Sequence, residues 1–324
     1  MVSNTRFIAM LDNVKLEINQ RAPEIYKYIS EKLLTNPDFR ITKPPNNNYT
    51  RYSHKNIGNK LCFDFRKVQE KGNLIGYREI YITLTPHYYF NNNKHNGNDL
   101  TPENCIKTIL NILNYLGIKK CDFHVLKVVN IEFGLNIIPE HNIEDIINGL
   151  LYFNKTKFIT PNSHTPYYKI TESSGFKQIK AYAKGLQFQE NPEFGIDHNT
   201  FRFEIKSKQS KSIKLYGIYS VQDLIQLNTY KKLSQELING WDKILIINQA
   251  PDFRNLKSAN VQFIKNAKKA RFWQLIKEDI SRNKFSLLKQ KYYDLLEHQN
   301  NIHQLIKLKI IDKLVSFQNN ANST

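Results

Sequence analysis

Residues 179–188 read I-K-A-Y-A-K-G-L-Q-F, and the first six alternate strictly between apolar and polar. Successive side chains of a β-strand point to opposite faces, so Ile179, Ala181 and Ala183 share one face and Lys180, Tyr182 and Lys184 share the other. A strand of this pattern buries one side only, as in an antiparallel sheet that keeps a polar face. That polar side sets a tyrosine between two lysines. Either the tyrosine is an ordinary strand residue on a solvated face, or it is a nucleophile held where cations can manage the phosphates it attacks.

Two other segments show the same parity. In V-V-N-I-E-F-G-L-N, Val129, Ile131, Phe133 and Leu135 form the apolar side, and Asn130, Glu132, Gly134 and Asn136 the polar one. In N-T-F-R-F-E-I-K-S-K (199–208), Phe201, Phe203 and Ile205 face the core while Arg202, Glu204 and Lys206 face away. If the three strands share a sheet, Glu132, Tyr182 and Glu204 project from one surface among several cations. Such a set suits phosphodiester transesterification. Carboxylates bind a hard divalent cation such as Mg²⁺ or Mn²⁺, the cation polarises the phosphate, and the phenol attacks and keeps a covalent link. A phenol ionises near pH 10 when unperturbed, so Lys184 is the expected aid to its ionisation. The same residues also fit a plain solvated sheet face, with Arg202 and Glu204 as a structural cross-strand pair.

Outward from these strands the pattern predicts a hairpin over about 60–86 with its turn at Lys71, Gly72 and Asn73, and an asparagine-rich loop over 91–100. A helix follows, capped by Thr101, with Pro102 in its first turn and Gly117 at its end. Next come the long Glu132 strand, a helix around 142–153, a hairpin pairing 166–172 with 176–184, and the strand at 199–208. Beyond about 218 the pattern reads as helical throughout. The expected architecture is α+β: a mainly antiparallel sheet with helices on one face and an open polar face over residues 1–217, the candidate catalytic domain, then a helical region over 218–324 for DNA contact or an accessory role.

The chain has 324 residues, long enough for two domains or for one large core with a helical appendix. Hydrophobic residues make up 40% and aromatics 12%, which marks a globular protein. There is no apolar run of about 18 residues and no apolar leader at the N-terminus, so neither a membrane span nor a secretory signal is expected. Cys62, Cys105 and Cys121 are scattered, which argues against a disulfide framework or zinc knuckle and for the reducing cytoplasm. Lys and Arg number 47 against 29 Asp and Glu, a formal charge of +18. Nucleic acid is the first partner to consider, and the 18 tyrosines and 19 phenylalanines offer rings to stack on unpaired bases. A basic membrane-surface protein or a ribosome-associated factor would carry similar charge, and AT-rich coding would also enrich lysine.

In these residues the sequence resembles the filamentous-phage gene II/gene X replication proteins, the rolling-circle initiators also found on related plasmids. N-I-E-F stands where that family has R-I-D-x, K-A-Y-A-K-G-L-Q matches x-A-Y-x-K-x-x-x, and an R-F-E strand with basic residues follows. Upstream, K-H-N-G matches the family's G-H-N loop at His95 and Asn96, with Lys94 replacing the glycine. The likeness spans roughly residues 60–220. It implies that Tyr182 is the nicking nucleophile and that Glu132 is a metal ligand. Glu204 and His95 are the further candidate ligands, though His95 also reads as a turn-capping loop residue. There is no histidine-hydrophobe-histidine triplet of the kind many other rolling-circle enzymes use for metal, and His87 and His95 are the nearest candidates. Gln187 replaces an acidic residue that often follows the Y-x-K stretch.

The resemblance implies an origin DNA as substrate, host polymerase and helicase as partners, and the cytoplasm of a bacterial host as location. Lys180, Arg202, Lys206 and Lys208 are expected along the bound strand. Lys265, Lys268, Lys269 and Arg271 lie at helical spacing beside Phe272 and Trp273, as duplex-phosphate contacts or as the solvated face of a helix. Tyr216 and Tyr219 are candidates for a second nucleophile. No G-x-x-x-x-G-K-[ST] loop is present, in keeping with a reaction that stores its energy in a phosphotyrosyl bond. A non-enzymatic origin-binding initiator or repressor, or an RNA-binding sheet, would use the same basic face.

Overall fold

The computed structural model describes residues 9–172, 175–249, 251, 253, 254, 256–296 and 301–321. Its strands are β1 Met10–Asn19, β2 Phe39–Thr42, β3 Tyr49–His54, β4 Gly58–Glu70, β5 Asn73–Leu84, β6 Lys127–Ile137, β7 Leu150–Phe153, β8 Thr156–Ile159, β9 Tyr168–Thr171, β10 Lys177–Ala183, β11 Phe201–Ser207 and β12 Ile244–Ile246. They form one sheet in the order β12-β7-β8-β9-β10-β11-β6-β1-β5-β4-β3-β2. All of these pairings are antiparallel. This is the α+β fold with C-terminal helices that the sequence pattern predicts.

Local chemistry explains the elements. The β4–β5 hairpin turns on Lys71 and Gly72, at φ 48° and 85°. Two consecutive left-handed residues make the turn whose twist matches the flanking strands, and glycine enters that region without a Cβ clash. The helix Pro102–Tyr115 starts at Thr101, whose side chain accepts from the Asn104 amide. It ends before Gly117 at φ 69°, as expected. Its Ile109, Ile112 and Leu113 are fully or almost fully buried. Beside it the helix Leu227–Trp241 packs on the apolar face of β11, where the Trp241 ring meets Phe201 and Phe203 edge-on at 6.0 and 5.4 Å.

Several elements differ from the sequence reading. The helix expected over 142–153 spans Ile143–Gly149, and the chain continues as β7. A Cβ at Gly149 would lie 2.6 Å from the Ile247 carbonyl, so only glycine lets β12 approach this closely. β12 itself interrupts a stretch read as helical, because I-L-I-I is a short apolar run whose period does not separate helix from buried strand. Within the stretch beyond 218 read as helical throughout, Ser258–Ala267 and Ala270–Asp279 are separate helices, broken where Lys269 turns extended. β1, β2 and β3 precede the first predicted element. No helix among the described residues is long and apolar enough to cross a membrane.

The helix Ile302–Ala321 is anchored by His303, whose ring stacks between Trp241 at 5.7 Å and Tyr293 at 4.3 Å. Trp241 Nε1 donates to the His303 carbonyl at 2.9 Å, and the imidazole Nε2–H donates to the Trp241 carbonyl at 3.0 Å. Burial lowers the imidazole pKa to about 4. An unfolded histidine titrates near 6.5, so the folded state keeps its full benefit above that pH and loses it as pH falls toward 4. At about 1.36 kcal/mol per unit, the expected loss from this group between pH 7 and pH 5 is about 2 kcal/mol. Urea unfolding at the two pH values should show that excess loss in the wild type and not in His303→Gln.

Candidate metal centre and tyrosine site

The three strands singled out in the sequence lie side by side, in the order β10-β11-β6. Their register sets Tyr182 opposite Arg202, Lys180 opposite Glu204, Lys206 opposite Glu132 and Arg202 opposite Asn136. Glu204 faces Gly134, and a Cβ there would lie 2.7 Å from Glu204 Cγ and 2.5 Å from the Phe203 carbonyl. The glycine therefore makes the space in which the Glu204 side chain crosses the sheet.

The polar side chains converge. Tyr182 Oη donates to Glu204 Oε1 at 2.7 Å. Lys180 pairs with Glu132 and lies 3.6 Å from Glu204 Oε2, while Lys206 Nζ lies 3.2 Å from the other Glu132 oxygen. Arg202 Nη1 stands 3.6 Å from both Glu204 Oε1 and Asp12 Oδ1. Ligand oxygens of Asp12, Glu132 and Glu204 all lie within 4.8 Å of one another, so these three carboxylates could hold a metal ion. Glu204 Oε2 and Arg202 Nη1 are buried without a hydrogen-bond partner. An orphaned carboxylate oxygen inside an acidic triad is what an oxygen-ligated cation would satisfy.

Asp12 comes from outside the three predicted strands. Its neighbours set the reason: Leu11 pairs with Phe133 and Asn13 with Glu132, so Asp12 is the extra residue of a β-bulge between β1 and β6. A bulge turns its side chain out of the normal alternation, here toward the carboxylates of β6 and β11. The sequence does carry a trace of it. Val14, Leu16 and Ile18 keep one phase, and Leu11 falls out of it, so the apolar phase slips between residues 11 and 14.

The polar face is not bare at this point. Arg202 and Glu204 are each 1% exposed, Glu132 4% and Tyr182 5%. The 95–98 loop packs over Arg202, Asn136 and Asp12, whose polar groups need partners once they leave water. Arg202 donates to the Asn96 carbonyl and to Asn136 Oδ1, and the Asn136 amide donates to the carbonyls of Gly97 and Asn98 at 2.9 and 2.8 Å. The Asn96 amide bridges both oxygens of Asp12 at 2.9 and 3.0 Å. A cavity of about 360 Å³ remains between this cluster and the Pro161–Tyr168 segment, lined by Asp12, Glu132, Lys180 and Tyr182 among others. Tyr168, opposite Tyr182 on β9, tilts over its ring at 4.8 Å.

The electrostatics follow from burial and pairing. Burial raises the Glu204 carboxyl to about 7, with Glu132 and Asp12 adding to it and Lys180 and Arg202 opposing. Burial acts the same way on Glu132, but Lys180 and Lys206 outweigh it and hold the group low. Asp12 is also held well below the usual carboxylate range: burial is overcome by His87 and by the charges of Arg202 and Lys184. Burial and the Glu204 charge push the Tyr182 phenol well above its ordinary value. Burial, with Arg202 nearby, lowers Lys184 to about 7. The expected strong cation beside the phenol is thus a group poised between its two forms. Lys184 opens the short helix Lys184–Gln187, donates to Asn96 Oδ1 at 2.6 Å and Gln187 Oε1 at 2.9 Å, and lies 5.3 Å from the Tyr182 ring centre.

His95 is not part of the acidic triad. Its ring stacks on Phe194 at 4.5 Å and its Nδ1 accepts from the Gly97 amide, the turn-capping role. Its loop neighbour Asn96 is the residue that reaches the site. Lys265 on the helix Ser258–Ala267, Arg271 on the helix Ala270–Asp279 and Lys269 between the two are exposed, Lys268 beside it is half-buried, and none of the four lines the cavity. Lys208 follows β11, its amide donating to the Phe176 carbonyl at 2.8 Å. Tyr216 is buried against Phe133, and Tyr219 is exposed beyond it.

Fold and site together define a class: an antiparallel-sheet protein with a buried tyrosine–carboxylate centre able to hold a metal ion. No protein-family model matches the chain, and no curated protein matches it.

Proposed function

We propose that the protein is a metal-dependent DNA nicking and joining enzyme that starts rolling-circle replication at a phage or plasmid origin. The observation that carries this reading is the Tyr182 hydroxyl, 2.7 Å from Glu204 and beside the three-carboxylate cluster at a cavity. The likeness to the gene II/gene X proteins and the +18 charge point the same way.

Asp12, Glu132 and Glu204 offer hard oxygen donors suited to Mg²⁺ or Mn²⁺. The bound cation supplies charge neutralisation at the scissile phosphate. The rest falls to the chain. Burial keeps Tyr182 protonated at rest, so its proton leaves as the phenol oxygen attacks, and Glu204 Oε1 is already placed to receive it. The phenol O–P bond forms, the P–O3′ bond breaks, and the 3′ oxygen leaves as a hydroxyl with a proton from water. Lys180, Lys184 and Arg202 balance charge around the phosphoryl oxygens. The 5′ phosphate stays on Tyr182, the 3′ hydroxyl primes host polymerase in the bacterial cytoplasm with a host helicase, and the reverse reaction closes a circle without ATP.

A second reading, origin binding without chemistry, draws on the pairing of all three acids with Arg, Lys or His side chains. One experiment separates them. Protein incubated with Mn²⁺ and a supercoiled plasmid bearing its own origin should give nicked DNA with protein covalently attached. Intact plasmid that is nevertheless bound specifically favours the second reading.

A further inference from the structure

One asparagine meets three groups of the site at once. Asn96 lies in the loop over β6 and β11 and is 5% exposed. Its amide nitrogen donates to both oxygens of Asp12, at the bulge of β1. Its amide oxygen accepts from Lys184 Nζ just past β10, and its main-chain carbonyl accepts from Arg202 of β11.

These partners fix the amide. A carboxylate accepts and the Lys184 amine donates, so nitrogen faces Asp12 and oxygen faces Lys184. Only an asparagine or a glutamine offers that donor and acceptor from one rigid plane, and glutamine sets the plane one methylene further out. Neither partner is held as well elsewhere. Among the described residues, the other hydrogen bond of Lys184 Nζ is to Gln187, which is exposed. The other neighbours of the Asp12 carboxylate are His87 Nδ1 at 3.3 Å and Arg202 Nη1 at 3.6 Å, both further off than the Asn96 nitrogen.

The loop that carries the amide is tied down in its own right. The Asn136 side chain of β6 donates to the carbonyls of Gly97 and Asn98. Asn98 in turn exchanges two side-chain hydrogen bonds with Asn91. The Asn96 amide is therefore placed by the fold before any substrate arrives, which is what a supporting group for a reacting centre needs.

We infer that Asn96 is a positioning residue of the reaction: its one amide sets the Asp12 carboxylate in the acidic triad and the Lys184 amine beside the Tyr182 phenol. This rests on the nicking reading above and deepens it, because the same rigid group then couples the metal seat to the cation nearest the nucleophile. Asn96 acts through Asp12 and Lys184.

Two variants separate positioning from packing. Asn96→Ala removes the amide, whereas Asn96→Gln keeps its donor and acceptor but displaces them. Full-length wild type and variants are compared by Mn²⁺ calorimetry without DNA, by kcat and KM for nicking the origin plasmid, and by thermal melting. Asn96→Ala should bind Mn²⁺ about 10–100-fold more weakly, the usual effect of losing a group that orients a metal ligand. Its kcat should fall by a similar factor with KM for DNA unchanged. Asn96→Gln should melt close to the wild type yet lose at least about tenfold in kcat, since a misplacement of about 1 Å at a reacting centre is costly. A merely structural role would lower the melting temperature of Asn96→Ala and leave the constants of the folded protein alone. Wild-type Mn²⁺ affinity and kcat in folded Asn96→Ala, or wild-type kcat in Asn96→Gln, overturns the Asn96 assignment and leaves nicking and the carboxylate site standing. A wild type that neither binds Mn²⁺ nor nicks overturns the reading beneath it as well.

Discussion

Tyr182→Phe should abolish strand cleavage and covalent attachment together, by a factor on the order of 10⁴ or more, the scale seen when an enzyme loses its nucleophile. The ring remains, and so does its contact with Tyr168, so the sheet should survive. The change leaves Glu204 Oε1 without its donor, at a cost of about 1–3 kcal/mol, and Arg202 at 3.6 Å remains to meet it. Circular dichroism and thermal melting should therefore show a folded protein of reduced stability. Glu204→Gln keeps the shape but cannot accept the phenolic proton, and cleavage should fall by about 10²–10⁴. Gel assays of nicked product and of protein-linked DNA read both variants. Cleavage surviving in Tyr182→Phe would remove the tyrosine from the mechanism.

The second large effect concerns stability. Arg202 is 1% exposed and lies among Asp12, Glu204 and Asn136 under the 95–98 loop. Arg202→Met removes the guanidinium and leaves two buried carboxylates short of a counter-charge. Breaking one side of such a cluster costs about 3–5 kcal/mol. Urea unfolding should show that loss, and adding Glu204→Gln to Arg202→Met should recover part of it, with a coupling of about 0.5–3 kcal/mol. Strictly additive losses would mean that Arg202 acts through its Asp12, Asn96 and Asn136 contacts and not through Glu204.

Much of this site was legible because strand parity is a strong constraint. Ile179–Lys184, Asn130–Asn136 and Phe201–Lys206 each keep a two-residue period, so Glu132, Tyr182 and Glu204 fall on one face once the strands are neighbours. The β4–β5 hairpin and the capped helix Pro102–Tyr115 were legible for a similar reason, since Lys71-Gly72 and Thr101-Pro102 are local punctuation. What escaped is non-local or breaks the period. Asp12 reaches the triad through a bulge, and β12 hides in four apolar residues. The burial of Arg202 depends on the 95–98 loop folding back through Asn96, and that of Tyr182 on Tyr168 tilting over its ring, which no local pattern encodes. Of His87 and His95, the two nearest candidates for a metal-binding histidine in the sequence, only His87 lies buried beside Asp12, while His95 caps its loop.

The central claim is that Tyr182 forms the bond to DNA. Its most direct test is to trap the protein on an origin oligonucleotide with Mn²⁺, digest the complex, and map the nucleotide-bearing peptide by mass spectrometry. The account predicts a 5′-phosphoryl adduct on Tyr182, in the peptide spanning Ala181–Lys184. An adduct on Tyr168 or another residue, or nicked DNA with no protein adduct, would contradict it.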